Sequence, residues 1–472
     1  MNDSREIEPS DAGSDKRRTA GRLTPFWNKY MTERTLVMLL SVAVGLLAGF
    51  GAYVLKLMVG YVADHIVGAV SQPGFSWLYL FVPVTGIMLT VIYQRYILGK
   101  NIEHGVKRML SAISKRDYRI DRDITYAPLF ASTLTLGFGG SAGGEGPIAY
   151  VGGAIGSNLA RLVRLRPGLV RAMIGIGAGA GIAGIFKAPL GGVLFTLEVM
   201  RMELTGSLVI ALLLAASVAA ATAFILSGYT PDVVFTSIGH TAPAQGDLLW
   251  VAAFGLFCGI YSLYYSGVMG MMQRFYDRML GCWGRGLLSG AILSVMIFAF
   301  PALYGEGYGV IGHVLSGDSA AVARSVFVLG DTSAALSVIA ISGAVLAVKA
   351  FAASASNSGG GVAGDFAPTL FAGCTAGVFF ASAVNYLFDV NLSVPEYAFI
   401  GMAAVMAGAI RAPFMAIFIV VEMTLNFSLV VPLALGALLS FGVVRSRTAV
   451  DYYGRRQGLS FVEYVREKIL KK

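Results

Sequence analysis

The stretch AGIAGIFKAPLGGVLFTLEVM at residues 180–200 returns in altered form as AAVMAGAIRAPFMAIFIVVEMT at residues 403–424. Laid over one another at a constant offset of 224, Ala188-Pro189 meets Ala412-Pro413 and Glu198 meets Glu422, while Phe195 falls one place from Phe418. Upstream, GGEGPIAYVGGAIG (143–156) lies over GDFAPTLFAGCTAG (364–377) at an offset of 221, with Pro147 on Pro368 and Gly152 on Gly373. Two ordered matches with nearly equal offsets mark an internal repeat rather than chance among Gly/Ala-rich segments. Membrane transporters made of two such halves commonly invert one against the other, with a binding site where broken helices from each half meet.

Composition says where this repeat resides. Of 472 residues, 56% are hydrophobic and 13% charged, with a mean hydropathy of +0.70, whereas soluble domains carry about 25% charged residues. The chain reads as an all-α polytopic membrane protein in contact with a lipid bilayer. A helical span needs about 20 apolar residues, and residues 35–60, 77–97, 207–227, 248–272, 286–304, 333–353, 397–421 and 427–445 qualify. Residues 126–160 and 355–388 are apolar but too interrupted or too glycine-rich for ordinary spans. Such segments survive at membrane depth only when buried in protein or lining a wet cavity. Both are therefore expected to carry function.

The net charge of +9 is clustered. Arg5, Lys16, Arg17, Arg18 and Arg22 precede the first span, Lys100 to Arg122 supplies seven basic residues in one loop, Arg161 to Arg171 supplies four in another, and Arg445, Arg447, Arg455 and Arg456 follow the last span. Basic clusters beside spans set orientation, so the charge is read as cytoplasmic loops and cytoplasmic termini, not as nucleic-acid binding. The expected division is a polar tail over 1–34, a transmembrane domain over 35–457 with halves at about 35–230 and 245–450, and a short tail over 458–472. No apolar leader with a cleavage site opens the chain, so no cleaved signal is expected. Cys258, Cys282 and Cys374, with His65, His104, His240 and His313, show neither metal-ligand spacing nor a nucleophile–base arrangement. No cofactor, metal or enzymatic site is expected. GFGGSA at 137–142 matches a dinucleotide fingerprint in letters only, because no strand–helix–strand unit surrounds it.

One acid stands in the first glycine-rich stretch, Glu145. Pro147 suits the first turn of a helix, which puts Glu145 and Gly146 at that helix's N-terminus. Free N–H groups and the helix dipole make such a terminus favourable for an anion. GDFAP supplies a second terminus from the other half. Two termini aimed at one point form an anion site without a full positive charge, so an anion can both bind and leave. A carboxylate at that point competes with the permeating ion when charged and releases the path when protonated. A plain helix-start carboxylate is the alternative.

These residues resemble the CLC family of chloride channels and chloride/proton antiporters, over about residues 35–457. GGEGP at 143–147 is similar to the family's GREGP, GDFAP at 364–368 to its GxFxP, and the two Ala-Pro…Glu segments to its paired helices. The resemblance implies two inverted homologous halves whose broken helices meet at a central anion site, with Glu145 as the gate. It implies an anion-binding set of His104, Gly105, Gly144, Gly146, Phe366, Ala367 and Tyr453. Its implied partners are chloride or another small monovalent anion, protons as a possible second substrate, and a second copy of the chain in a homodimer. It also implies a bacterial-type member in the inner membrane, without appended nucleotide-binding domains.

Three departures from the family pattern bear on mechanism. EHGVK at 103–107 stands where the family has GSGIP, so His104 replaces a serine; a ring N–H can donate to an anion as a hydroxyl does. Gly144 replaces the arginine of GREGP, which removes a cation near the outer mouth. Val199 stands where typical antiporters of the family have an internal proton-transfer glutamate. Valine cannot carry a proton, so the expectation is a channel-like or weakly coupled pathway, with Glu198 as the substitute carrier should coupling exist.

Overall fold

The computed structural model describes residues 32–70, 76–102, 105–114, 118–203, 205–229, 248–278, 281–323 and 333–457. Nearly all of the 1–34 tail, the whole 458–472 tail and His104 lie outside them. The first half runs through α1 (Glu33–Val70), α2 (Val82–Ile92), α3 (Gly105–Ser114), α4 (Ala127–Gly137), α5 (Glu145–Leu162), α6 (Pro167–Phe186), α7 (Pro189–Leu194) and α8 (Gly206–Leu226). The second runs through α9 (Leu248–Asp277), α10 (Cys282–Ala299), α11 (Tyr308–Leu315), α12 (Ala334–Ser358), α13 (Phe366–Phe388), α14 (Val394–Ile410), α15 (Pro413–Thr424) and α16 (Val430–Gln457). Among the described residues, nine segments are long and apolar enough to cross a membrane. The molecule is an all-helical, multi-pass membrane protein.

The sequence repeat is visible as a repeat of packing. Helix α5 lies along α6 as α13 lies along α14, and α8 closes on α1 and α6 as α16 closes on α9 and α14. The crossings match in detail: a Cβ on Gly152 would stand 2.1 Å from the Gly177 carbonyl oxygen, and one on Gly373 would stand 2.1 Å from the Gly401 carbonyl oxygen. Only glycine permits backbones to approach this closely, which is how helices associate where lipid removes the hydrophobic drive.

The Ala-Pro motifs act as matched breaks. Lys187 (φ 53°) ends α6 and Arg411 (φ 64°) ends α14, each in the left-handed region, just before Ala-Pro starts the next helix. Proline has no N–H to continue the upstream helix but suits the first turn of a new one.

Beyond these breaks the halves clasp one another. Glu198, at the end of the π-turn Phe195–Val199 that extends α7, accepts from the N–H groups of Phe414 (3.3 Å) and Met415 (2.7 Å) at the start of α15. Glu422, near the end of α15, accepts from those of Leu190 (3.0 Å) and Gly191 (2.8 Å) at the start of α7. Each helix presents an acid near its C-terminus to the other's N-terminus, so the two run antiparallel. A two-fold axis exchanging antiparallel partners lies perpendicular to them, the arrangement that inverted halves require.

Three span assignments need correction. Residues 397–421 form two helices, α14 and α15, because Arg411 and Pro413 break the chain inside an unbroken apolar run. Residues 355–388 contain an uninterrupted helix of spanning length, α13, preceded by the end of α12. Pro167–Phe186, absent from the expected spans, is α6, whose glycines serve burial: 89% of its apolar window is covered by the rest of the protein.

Candidate functional site

Two glycine-rich turns, 139–144 and 359–365, come together at the centre. Gly143 N donates to Gly364 O (3.0 Å) and Gly364 N to Gly143 O (2.6 Å), an antiparallel bridge between equivalent residues of the two halves. The two-fold relation therefore runs through this pair as well. Helix α5 starts immediately beyond it at Glu145, and α13 starts at Phe366. The first helical bonds are Ile148 N to Gly144 O and Thr369 N to Asp365 O, so the N–H groups of residues 145–147 and 366–368, prolines apart, have no acceptor in their own helices.

The carboxylate of Glu145 lies between these termini and is completely buried. Its Oε1 accepts a hydrogen bond from the Tyr308 hydroxyl at 2.6 Å, and its Oε2 has no hydrogen-bond partner. The backbone N–H groups of Glu145 itself and of Ala367, together with the Lys56 ammonium on α1, act on the carboxylate electrostatically. They do so without reaching hydrogen-bond geometry to Oε2. Oε2 rests directly over Gly143, where a Cβ would lie 1.9 Å from it and 2.8 Å from the Ala367 Cβ. The carboxylate thus stands at the meeting point of one dipole from each half, where the sequence placed an anion.

The remaining predicted site residues divide by position. Phe366 is buried, its ring 5.8 Å from that of Phe195. Gly146 packs on the opposite turn, with 3.1 Å from a hypothetical Cβ to the Gly364 Cα. The N–H of Gly144 is already engaged, donating to Glu306 Oε1 at 2.9 Å. Gly105 begins α3, and Tyr453 lies near the end of α16 among residues whose side chains are not described. Val199 is half-buried against the main core, at the end of the π-turn that carries Glu198.

Four residues near the centre gave no signal in the sequence reading. Tyr308 and Glu306 belong to the turn GEGYG (305–309), which lines a cavity of about 380 Å³ with Lys56, Tyr304 and Met423. An acid between glycines, as in GGEGP, was the available clue. Gln94 bridges the halves, donating to Gly360 O (2.9 Å) and accepting from Ile102 N (2.8 Å), two residues before His104. Lys349 on α12 is fully buried; it donates to Ser141 Oγ at 2.8 Å and lies 4.5 Å from the Phe371 ring centre.

Inverted halves meeting at paired helix N-termini, in an all-helical membrane protein, define a transporter-type scaffold with an anion-compatible centre. Comparison with known proteins names the group. The family model for voltage-gated chloride channels matches residues 85–445, and the chain belongs to that family, the CLC proteins. A Ralstonia nicotianae protein provisionally designated a ClcB-like chloride channel is 26% identical over 406 residues, covering 83% of this chain and 88% of that one. The H(+)/Cl(-) exchange transporter ClcA of Klebsiella pneumoniae is 27% identical over 422 residues, covering 85% and 84%. The crystal structure of a slow cyanobacterial Cl-/H+ antiporter superposes with a TM-score of 0.72 at 21% identity, over 88% of this chain and 95% of that one. The fold is of the CLC type, and the family consists of transporters and channels for anions.

Proposed function

We propose that this protein moves chloride, or another small monovalent anion, through a pathway that Glu145 gates by occupying the anion's own site. One observation carries the reading: a buried carboxylate stands where two helix N-termini, one from each half, converge. A charged Glu145 competes with the anion for the same positive locus; a neutral side chain does not. Glu145→Gln should therefore raise chloride efflux from liposomes several-fold at neutral pH and flatten its pH dependence. An unchanged pH dependence would count against the gate.

Coupling is proposed to be weak or absent. A proton crossing a low-dielectric interior needs titratable groups or ordered water within reach, and Val199 offers none. Glu198, the nearest acid, has both oxygens engaged with the N-terminus of α15, a role that suits a structural clasp better than a shuttle. The second reading, chloride/proton antiport by another internal route, is favoured by the exchange activity in the names of the Klebsiella and cyanobacterial proteins. A chloride gradient imposed on sealed liposomes separates the two. Uphill proton movement at a fixed ratio supports antiport, and its absence alongside robust chloride flux supports the channel-like reading.

The proposed setting is a bacterial inner membrane, with the basic loops and both termini cytoplasmic, by the positive-inside rule. A homodimer is proposed from family membership. Leu190 and Phe414, exposed beside the clasped helices, give a second copy an apolar face to cover, and the mass of the detergent-purified protein tests this.

A further inference from the structure

We infer that the GEGYG turn is a latch on the Glu145 gate, with Tyr308 as the positioning residue that holds the carboxylate in the anion's place. The inference rests on the reading of Glu145 as a gate. Tyr308 is the first residue of α11 in the second half, and its hydroxyl donates to Glu145 Oε1, in the first half, at 2.6 Å. It is the one side-chain hydrogen bond that the carboxylate makes among the described residues, since Oε2 makes none. The bond is charge-assisted when Glu145 is ionised, so it stabilises the charged, occupying state over the withdrawn one.

The same turn grips the gate a second time. Glu306, two residues before Tyr308, accepts from Gly144 N at 2.9 Å. Gly144 directly precedes the gate residue and replaces the arginine expected there. The turn thus fixes both the backbone at the root of the gate and the carboxylate at its tip. Its geometry is built for this: Gly305 (φ 67°) and Gly307 (φ 87°) both adopt left-handed backbone, and a Cβ on Gly307 would meet the Phe371 ring at 2.5 Å. Among the described residues, the charged and titratable groups acting on Glu145 are Lys56 from α1 and Tyr308 from this turn, while Glu306 engages the adjacent Gly144 N–H. Asp365 on the α13 side is paired with Asn357.

The consequence is competitive. An entering chloride must displace a carboxylate held by Tyr308, so the latch sets how readily chloride wins the site. Removing the hydroxyl weakens the competitor while leaving the N–H donors of α5 and α13 in place.

Chloride binding to the purified full chain, measured by titration calorimetry in the wild type, Tyr308→Phe, Glu145→Gln and the double variant, tests the latch. Tyr308→Phe should tighten chloride about fivefold, and the same substitution in the Glu145→Gln background should change affinity less than twofold. An unchanged affinity in Tyr308→Phe, with tightening in Glu145→Gln, overturns the latch and leaves the gate standing. An unchanged affinity in Glu145→Gln removes the gate itself. Equal effects of Tyr308→Phe in both backgrounds would assign Tyr308 to the anion rather than to Glu145, and overturn the inference. A measurement on the wild type needs no substitution. The infrared difference spectrum between chloride and gluconate should show a tyrosine C–O band shifting together with a carboxylate band as chloride enters. A carboxylate change without a tyrosine change overturns the latch.

Discussion

Two of the places where the inverted halves meet, the clasp and the glycine turns, are built differently. At the clasp, the repeat is exact in function: Glu198 and Glu422 occupy equivalent positions, and each caps the other half's Ala-Pro helix with two hydrogen bonds. At the glycine turns the backbone is equally symmetric through the Gly143–Gly364 bridge, but the side chains are not. Position 145 is glutamate and its counterpart is Phe366. The symmetric contact satisfies every donor it reaches and leaves nothing for a ligand. The asymmetric one sends a single carboxylate to two helix termini, and under the proposed gating its departure would free both sets of donors. Preserved symmetry here supports structure, and broken symmetry coincides with the proposed site.

The strongest way to break this contrast is at the crossings that hold each half together. Gly152→Val or Gly373→Val would drive a side chain into an opposing carbonyl oxygen 2.1 Å from its Cβ. Both should abolish recovery of folded protein, since overpacking against rigid backbone costs several kcal/mol. Recovery of either variant with ordinary chromatographic behaviour would show that the crossings are looser than described. A gentler test acts on the clasp: Glu422→Ala or Glu198→Ala leaves two backbone donors unpaired and should destabilise by about 2 kcal/mol. Thermal unfolding should report similar losses for both. A loss confined to one would mean that the clasp is not symmetric, and a loss of proton coupling specific to Glu198 would assign that residue a carrier role.

The smallest effect belongs to an ion pair outside both meeting points. Lys100, in the loop beyond the membrane, lies 2.8 Å from Asp121 and 2.7 Å from Asp123. Its hydrogen bond holds the Asp121 carboxyl below the usual range, and Asp121 in turn pushes the Lys100 ammonium up. The pair's contribution is full between the unfolded carboxyl and ammonium values of about 4 and 10.4. It fades as pH falls through the lowered Asp121 value or rises through the raised Lys100 value. Because both groups are largely solvated, Lys100→Ala should cost under about 1 kcal/mol at neutral pH, with gating unchanged. Thermal shift assays across pH check this, and a cost that grows in acid would contradict the sign.

What the sequence disclosed follows from what sequence patterns encode. The Ala-Pro breaks, the repeat and the placement of Glu145 at a helix start are local signals, legible because proline and glycine constrain backbone wherever they occur. Hydropathy hid the break at Arg411, because a single left-handed residue barely alters an apolar sum, although Pro413 marked it. Helix α6 is absent from the expected spans, and its glycines let α5 pack against its backbone. Of Tyr308 and Glu306 the sequence offered only the likeness of GEGYG to GGEGP, and nothing that pointed to their partners. Their partners lie 163 and 162 residues away, and no repeat or spacing links them.

The claim that a vacated Glu145 position is an anion site can be tested by anomalous diffraction from crystals of Glu145→Gln grown with bromide. The account predicts a bromide peak at the position held by the wild-type carboxylate, within reach of the N–H groups of Phe366 and Ala367, and none there when Glu145 is present and charged. An empty position in Glu145→Gln, with bromide absent from both helix N-termini, would contradict it.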